Sequence, residues 1–191
     1  MKTVKLGELL KIGNGRNYST LTEVGEYPVY GSGGLMGYTN NFLYDGESVL
    51  LPRKGTLSNI QYTDGKFWTV DTIYFSKVDT EKADSYFLYS YLKLLDLENL
   101  NTGTGVPSMT QKAYEDIPLT IPDLKVQKSI SRVVRLLNNK ITLNGEINRE
   151  LERIARLLYD YWFVQFDFPD ENNRPLLYRV FRQLKFGVSH A

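Results

Sequence analysis

Residues Gly103 to Phe166 read GTGVPSMTQKAYEDIPLTIPDLKVQKSISRVVRLLNNKITLNGEINRELERIARLLYDYWFVQF. Ser108-Met109-Thr110-Gln111 matches a capping box, with Ser108 as cap and Gln111 reaching back, and predicts a short helix to Asp116. Pro118 and Pro122 force an extended exit. Asp123 then caps a long helix, with Val126 at the third position so that no full box forms. From Lys125 onwards Ile130, Val134, Leu137, Ile141, Asn144, Asn148, Leu151, Ala155, Leu158 and Trp162 alternate in steps of four and three. Val133, Lys140, Ile147, Ile154 and Tyr161 flank that seam. About 39 residues at ~1.5 Å each make a rod of nearly 60 Å. A rod of that length cannot bury its stripe on so small a domain, so the seam predicts a partner helix. Asn144 and Asn148 sit in mid-seam, where a polar residue lowers stability and fixes register and partner number. Gly145 between them weakens the helix by ~1 kcal/mol relative to Ala and favours a bend.

Upstream, the chain is strand-and-turn country to about residue 80. Tyr27-Pro28-Val29-Tyr30, Ser48-Val49-Leu50-Leu51, Asn59-Ile60-Gln61-Tyr62 and Thr72-Ile73-Tyr74-Phe75 are short β-prone runs. Gly31-Ser32-Gly33-Gly34, Asp45-Gly46 and Asp64-Gly65 mark turns between them. Lys66-Phe67-Trp68-Thr69-Val70 continues past the last turn, predicting a hairpin over Tyr62–Val70 with Asp64-Gly65 at its tip. Ser85 to Leu97 reads as a helix capped by Asp84, with Phe87, Leu88, Tyr91, Leu94 and Leu95 at helical spacing. The expected class is α+β: a mixed, strand-rich domain over 1–123, then a long helix over 124–163 forming a coiled coil, antiparallel by the resemblance described below. A tail over 164–191 would pack on the domain or on a partner.

Composition removes several kinds of chemistry. With no Cys among 191 residues, disulfides and thiolates are excluded. The only His is His190, next to the C-terminus, which speaks against a His-based triad or zinc site. Gly31-Ser32-Gly33-Gly34-Leu35-Met36-Gly37 fails as a dinucleotide fingerprint, because its third Gly falls one place late and no helix opens after it. It reads instead as a tight turn needing positive φ. Gly103-Thr104-Gly105 followed by Lys112 lacks the core of a phosphate loop. Asp167, Asp170 and Glu171 beside Pro169 read as turn and cap residues. Catalysis by this chain alone is not expected, and neither is a cofactor. No apolar signal core follows Met1 and no apolar run spans 18 residues, so the expected setting is cytoplasmic, without a membrane. Lys125 to Phe163 carries eight Lys/Arg against four Asp/Glu, a net of +4.

Three loops combine cations, glycine and short polar side chains: Gly13-Asn14-Gly15-Arg16-Asn17-Tyr18-Ser19, Tyr30-Gly31-Ser32-Gly33 and Leu51-Pro52-Arg53-Lys54-Gly55-Thr56-Leu57-Ser58-Asn59. Loops held by a rigid sheet are where recognition residues sit. Arg reads guanine with two hydrogen bonds, while Ser, Thr and Asn serve bases or phosphates. The plainer alternative for each is a solvated loop.

These segments resemble one half of the DNA specificity subunit of type I restriction-modification systems. Val4-Lys5-Leu6-Gly7-Glu8-Leu9-Leu10 with Ile12-Gly13-Asn14-Gly15 is similar to the opening of a target recognition domain. Tyr27 to Gly34, Val49 to Gly55, and Phe67-Trp68 with Asp71 are similar to its core. Gly103 to Met109, Ile117 to Pro122, and Gln127-Lys128-Ser129-Ile130 resemble the junction into the family's spacer helix, and Leu158 to Phe163 its ending. The resemblance implies two target recognition domains per full subunit, separated by antiparallel spacer helices. It implies double-stranded DNA as ligand, methyltransferase (modification) subunits docked on the helices, and a restriction subunit in the full complex. Carried onto this chain, DNA-binding falls to Arg16, Asn17, Tyr18, Tyr30, Ser32, Arg53, Lys54, Thr56, Ser58, Lys66 and Lys112. A chain with one domain and one helix is expected to homodimerise through the Ile130–Trp162 seam and read a palindromic split site. A truncated or exchangeable product needing another half is the open alternative. Two further classes compete: a coiled-coil adhesive protein whose Tyr-rich head binds glycan or protein, and a metal- or cofactor-dependent enzyme.

Overall fold

The computed structural model describes residues 1–17, 25–100 and 106–164. By compactness the chain divides into two units, Met1–Leu136 and Leu137–Ala191.

The first unit is built around β6 (Ser48–Pro52), buried along its whole length. Side chains alternate across a strand, so Val49 and Leu51 face one apolar cluster while Leu50 faces another. The larger cluster collects Leu6, Leu9, Leu88, Leu92, Met109 and Tyr114, among others. The smaller is Leu50, Phe67 and Ile73, edged by Tyr30, Tyr44 and Phe75. One four-stranded sheet runs β2 (Leu10–Asn14), β9 (Ile73–Val78), β6, β7 (Gln61–Thr63). The other runs β4 (Gly34–Thr39), β3 (Tyr27–Gly31), β8 (Lys66–Thr69), β5 (Tyr44–Asp45). β1 (Lys2–Lys5) pairs antiparallel with β10 (Pro118–Ile121), the extended run that the two prolines predict.

The sheet-building runs appear where the sequence places them, but one connection differs. The Tyr62–Val70 hairpin does not form, because β7 pairs with β6 while β8 pairs with β3 and β5. Asp64-Gly65 instead carries the chain from one sheet to the other. Asp45-Gly46 makes the matching crossing, and the Gly46 N–H donates to the Gly65 carbonyl at 3.0 Å. Both glycines take the left-handed φ, 130° and 85°, so the turn chemistry is as read and only the partner strand differs. Ser32-Gly33 does close a hairpin, between β3 and β4, with Gly34 at φ 123°.

α1 (Ser85–Leu92) is capped by Asp84, whose carboxylate accepts from the Phe87 N–H at 2.9 Å. It ends short of the predicted Leu97. The Leu94 and Leu95 N–H groups bond three residues back, to Tyr91 and Leu92. That tighter winding turns Leu97 into the core and leaves Leu94 exposed. α2 (Gln111–Glu115) is capped by Thr110 rather than Ser108: Thr110 Oγ1 accepts from the Ala113 N–H at 3.2 Å. Ser108 is held in an extended bridge to Lys54, and the Met109 N–H donates to the Arg53 carbonyl at 3.0 Å. The chain is therefore still strand-like two residues past the expected cap.

α3 (Leu124–Tyr159) is one 36-residue helix. Its first turns belong to the first unit and lie on it with a polar stripe. Gln127 and Ser131 are buried. Gln127 accepts the Asp84 N–H at 3.0 Å and donates to the Pro122 carbonyl at 2.8 Å. Ser131 donates to the Asp84 carboxylate. One turn on, Arg135 Nη2 lies 3.2 Å from both Glu47 Oε1 and Tyr62 Oη. Its guanidinium sits 4.5 Å from the Tyr86 ring centre and 5.4 Å from that of Tyr62. In the second unit α3 continues to Tyr159, and Asp160–Val164 winds into a π-helical turn. The tail over 165–191 lies outside the described residues.

Candidate nucleic-acid interface and pairing helix

β2, β3 and β6 each lead into a loop with polar residues, and backbone and side-chain hydrogen bonds tie those loops together. Past β2, the Arg16 N–H donates to the Thr69 carbonyl at 2.8 Å, and the Trp68 indole donates to the Arg16 carbonyl at 3.0 Å. Past β6, the Arg53 and Lys54 N–H groups both donate to the Thr72 carbonyl, at 2.9 and 3.2 Å. Thr72 Oγ1 accepts from the Ser32 N–H at 3.3 Å, joining the β3–β4 turn to the same point. The Asn59 amide donates to the Ser32 carbonyl at 2.7 Å, and Gln61 to that of Gly31 at 2.9 Å. The segment leading to α2 closes the group: the Gly55 N–H donates to the Pro107 carbonyl at 2.9 Å. Gln111 lies 3.2 Å from the Asn14 side chain. Bonds of this kind fix the loop backbone to the scaffold.

Arg16, Ser32, Arg53, Lys54 and Thr56 therefore belong to one surface, and Lys112 stands beside it on α2. Lys54, Thr56 and Lys112 are exposed, as are Arg16 and Asn17. Arg53 is half-buried, its guanidinium 6.0 Å from the Tyr74 ring centre and Nη1 3.5 Å from the Asp71 carbonyl. Ser58 is exposed and its hydroxyl faces Glu98 at 3.3 Å. Two predicted residues lie elsewhere. Lys66 is at the far end of β8 from Thr69, capping the Phe42 and Tyr27 rings at 4.8 and 5.4 Å. Tyr30 packs edge-on against Phe67 in the smaller core, and its hydroxyl accepts from Thr63 at 3.3 Å. Tyr18 and the Gly103-Thr104-Gly105 stretch lie outside the described residues.

Sequence reasoning missed the residues that hold α3: Gln127, Ser131, Arg135 and their partners Asp84, Glu47 and Tyr62. The signal was present as a polar i, i+4, i+8 stripe beside the apolar one. Burial, then the Glu47 carboxylate, push the Tyr62 phenol well above its ordinary range. The Arg135 guanidinium stays charged in spite of its own burial, because Glu47 and Tyr62 accept from it.

The apolar seam remains uncovered. Ile130 is 40% exposed, Leu137 57%, Ile141 68%, Leu151 58%, Leu158 45% and Trp162 37%. Val134 is half-buried, and Asn144 and Asn148 are exposed. An apolar stripe left in solvent along that many turns marks a protein-docking face. Among the described residues no group of His, Cys, Asp or Glu is placed to hold a metal. An open groove of about 740 Å³ beside Glu8, Lys11, Asp79 and Lys82 lies at the opposite end of β2 and β9 from the loops and mixes both charges.

Fold and loops together define a two-part module: paired sheets that gather polar, cationic loops, and a long helix with an unpartnered apolar face. The chain belongs to the type I restriction modification DNA specificity domain family, which it matches over residues 1–153. It is 41% identical over 61 residues to the type I restriction enzyme HindI specificity subunit of Haemophilus influenzae, covering 32% of this chain and 13% of that protein. It is 26% identical over 166 residues to the EcoprrI specificity subunit of Escherichia coli, covering 81% of this chain and 40% of that one. The crystal structure of the type I restriction-modification S subunit from M. genitalium superposes with a TM-score of 0.73 at 18% identity, over 87% of this chain and 46% of its own. The chain thus spans less than half the length of each of these relatives.

Proposed function

We propose that this chain is a DNA-reading specificity module of a type I restriction-modification complex, with no catalytic role of its own. The carrying observation is the loop surface, where Arg53, Lys54 and Ser32 share bonds to Thr72, the Arg16 backbone is bonded to nearby Thr69, and Lys112 stands beside them on α2. Cations at the rim suit phosphates, and hydrogen-bonding side chains within suit base edges. The uncovered seam supports two further statements. Two copies pair through α3, placing two loop surfaces in two-fold relation and selecting a palindromic, interrupted site. The paired helices also dock the modification subunits that carry the methyltransferase chemistry, with a restriction subunit joining that core. This reading sets the protein in the cytoplasm with the DNA. Among the described residues no helix is long and apolar enough to cross a membrane.

Selection from a randomised duplex pool, using the full chain with its modification subunit, tests the reading. A split palindrome is expected. Arg53→Ala with Lys54→Ala should weaken binding about tenfold or more and flatten its salt dependence, leaving the melting temperature unchanged. Recovery of no sequence, or unaltered binding by the double variant, removes the loop surface from the function.

A further inference from the structure

Two large apolar side chains stand exposed beside the β3–β4 turn that carries Ser32. Leu35 and Met36, at the start of β4, are each 53% exposed. The β3–β4 ladder is irregular at this point. Gly37 pairs with Val29 and Leu35 with Tyr30, so the register skips Met36. A bulge of this kind re-aims a side chain out of the alternation of its strand. Gly31 opposite makes room for it: a Cβ there would stand 2.5 Å from Met36 Sδ and 3.4 Å from Val70 Cγ2. The Met36 side chain accordingly lies across Gly31 and beside Val70. The Arg16 backbone is bonded to Thr69, the residue before Val70, while Ser32, the residue after Gly31, is bonded to Thr72 together with Arg53 and Lys54. Both cationic loops are therefore tied to the Thr69–Thr72 segment, whose Val70 lies beside Met36.

A scattered surface leucine needs no explanation. An exposed apolar pair at a bulge, with its Met36 lying over a glycine and two cationic loops tied to the neighbouring segment, fits one ligand feature well. In the major groove the only apolar group that a base pair presents is the thymine 5-methyl, flanked on both sides by phosphates. We propose that Leu35 and Met36 are specificity-determining residues that read thymine by packing on its 5-methyl group. This rests on the DNA-reading function proposed above. The cations at Arg16, Arg53 and Lys54 then hold the two flanking backbones, and the β3–β4 turn enters the groove between them.

The test is a substitution scan in the DNA, which leaves the protein untouched. Each thymine of the selected duplex is replaced singly by deoxyuridine, which removes the methyl and keeps every hydrogen-bonding group. Wild-type binding is expected to weaken roughly three- to fivefold at one or two positions per half-site, the scale of one buried methyl group. Leu35→Ser with Met36→Gln should bind the thymine and deoxyuridine duplexes equally while keeping the same half-site sequence elsewhere. A half-site lacking A·T pairs, a scan with no sensitive position, or a variant that keeps the full methyl preference overturns the assignment. Loss of modification-subunit binding by the variant, with the methyl preference intact, would make the pair a protein-docking patch and likewise overturns it. Failure of the wild-type chain to prefer any duplex overturns the DNA-reading function as well.

Discussion

Gly15 shows how closely the polar loops are set into the scaffold. A Cβ on it would stand 1.9 Å from the Val70 carbonyl oxygen and 2.7 Å from that of Ile73. Both are backbone atoms of the segment that carries Thr72, so no side-chain rotation relieves the clash. Gly15→Ala is expected to destabilise by about 1–3 kcal/mol or more, as overpacking does. Gly33→Ala, with nothing within 4 Å of its Cβ, should stay within about 0.5 kcal/mol of wild type. Urea denaturation of both variants makes the comparison. Tyr62 offers a second check at this scale. Its phenol is raised above the ordinary 10.0 by burial and then by Glu47. The folded chain therefore holds the proton more tightly than the unfolded chain. Stability is complete below that ordinary value and falls as pH rises past it. Melting temperature should drop on titration from about pH 9 to about pH 11, and Tyr62→Phe should make that drop shallower.

Asp84 joins two elements with one carboxylate, capping α1 through the Phe87 N–H and accepting from Ser131 of α3. Asp84→Ala is expected to lose the cap, about 1 kcal/mol, and to strand a buried hydroxyl, about 1–3 kcal/mol more. Combining it with Ser131→Ala in a double-mutant cycle should show coupling of about 0.5 kcal/mol or above, and additivity would disprove the shared role. Much at this scale is legible in the sequence, because caps and periodicity are local. Asp84 before an apolar run, the steps of four and three along α3, and the prolines bounding β10 each fix an element within a few residues. Pairing is where local reasoning fails. Asp64-Gly65 has the chemistry of a hairpin tip, yet β7 and β8 find partners in different sheets, since Phe67 and Leu50 belong to a core that only the folded chain assembles. The loop surface divides the same way. Arg53 and Lys54 stand out by composition, but that they share Thr72 with Ser32 is a long-range fact. Nothing local marks Lys66 as remote from them, or Tyr30 as a core residue.

At the scale of the molecule, α3 turns polar residues to its own domain and leaves its apolar face to solvent. The proposed pairing with a second copy would make stability depend on concentration. Each tenfold dilution should then lower it by about 1.4 kcal/mol per dimer. Leu151→Glu, on an exposed seam position, should abolish that dependence and halve the mass seen by light scattering while leaving the sheets folded. A wild-type chain whose melting temperature ignores dilution would rule out self-pairing.

The division of labour along α3 has a thermal consequence. The described contacts that hold it to its domain are mainly polar, hydrogen bonds, the Arg135–Glu47 ion pair and the Arg135 guanidinium over two tyrosine rings, whereas the seam has mainly apolar surface to offer. Apolar association fades on cooling and strengthens in sulfate, while an exposed ion pair is weakened by salt. Chilling should thus loosen the grip between copies before it loosens each reader from its own helix, and sulfate should shift the balance the other way. The proposed dimer would then come apart in the cold at its symmetry axis, into halves that are each still whole.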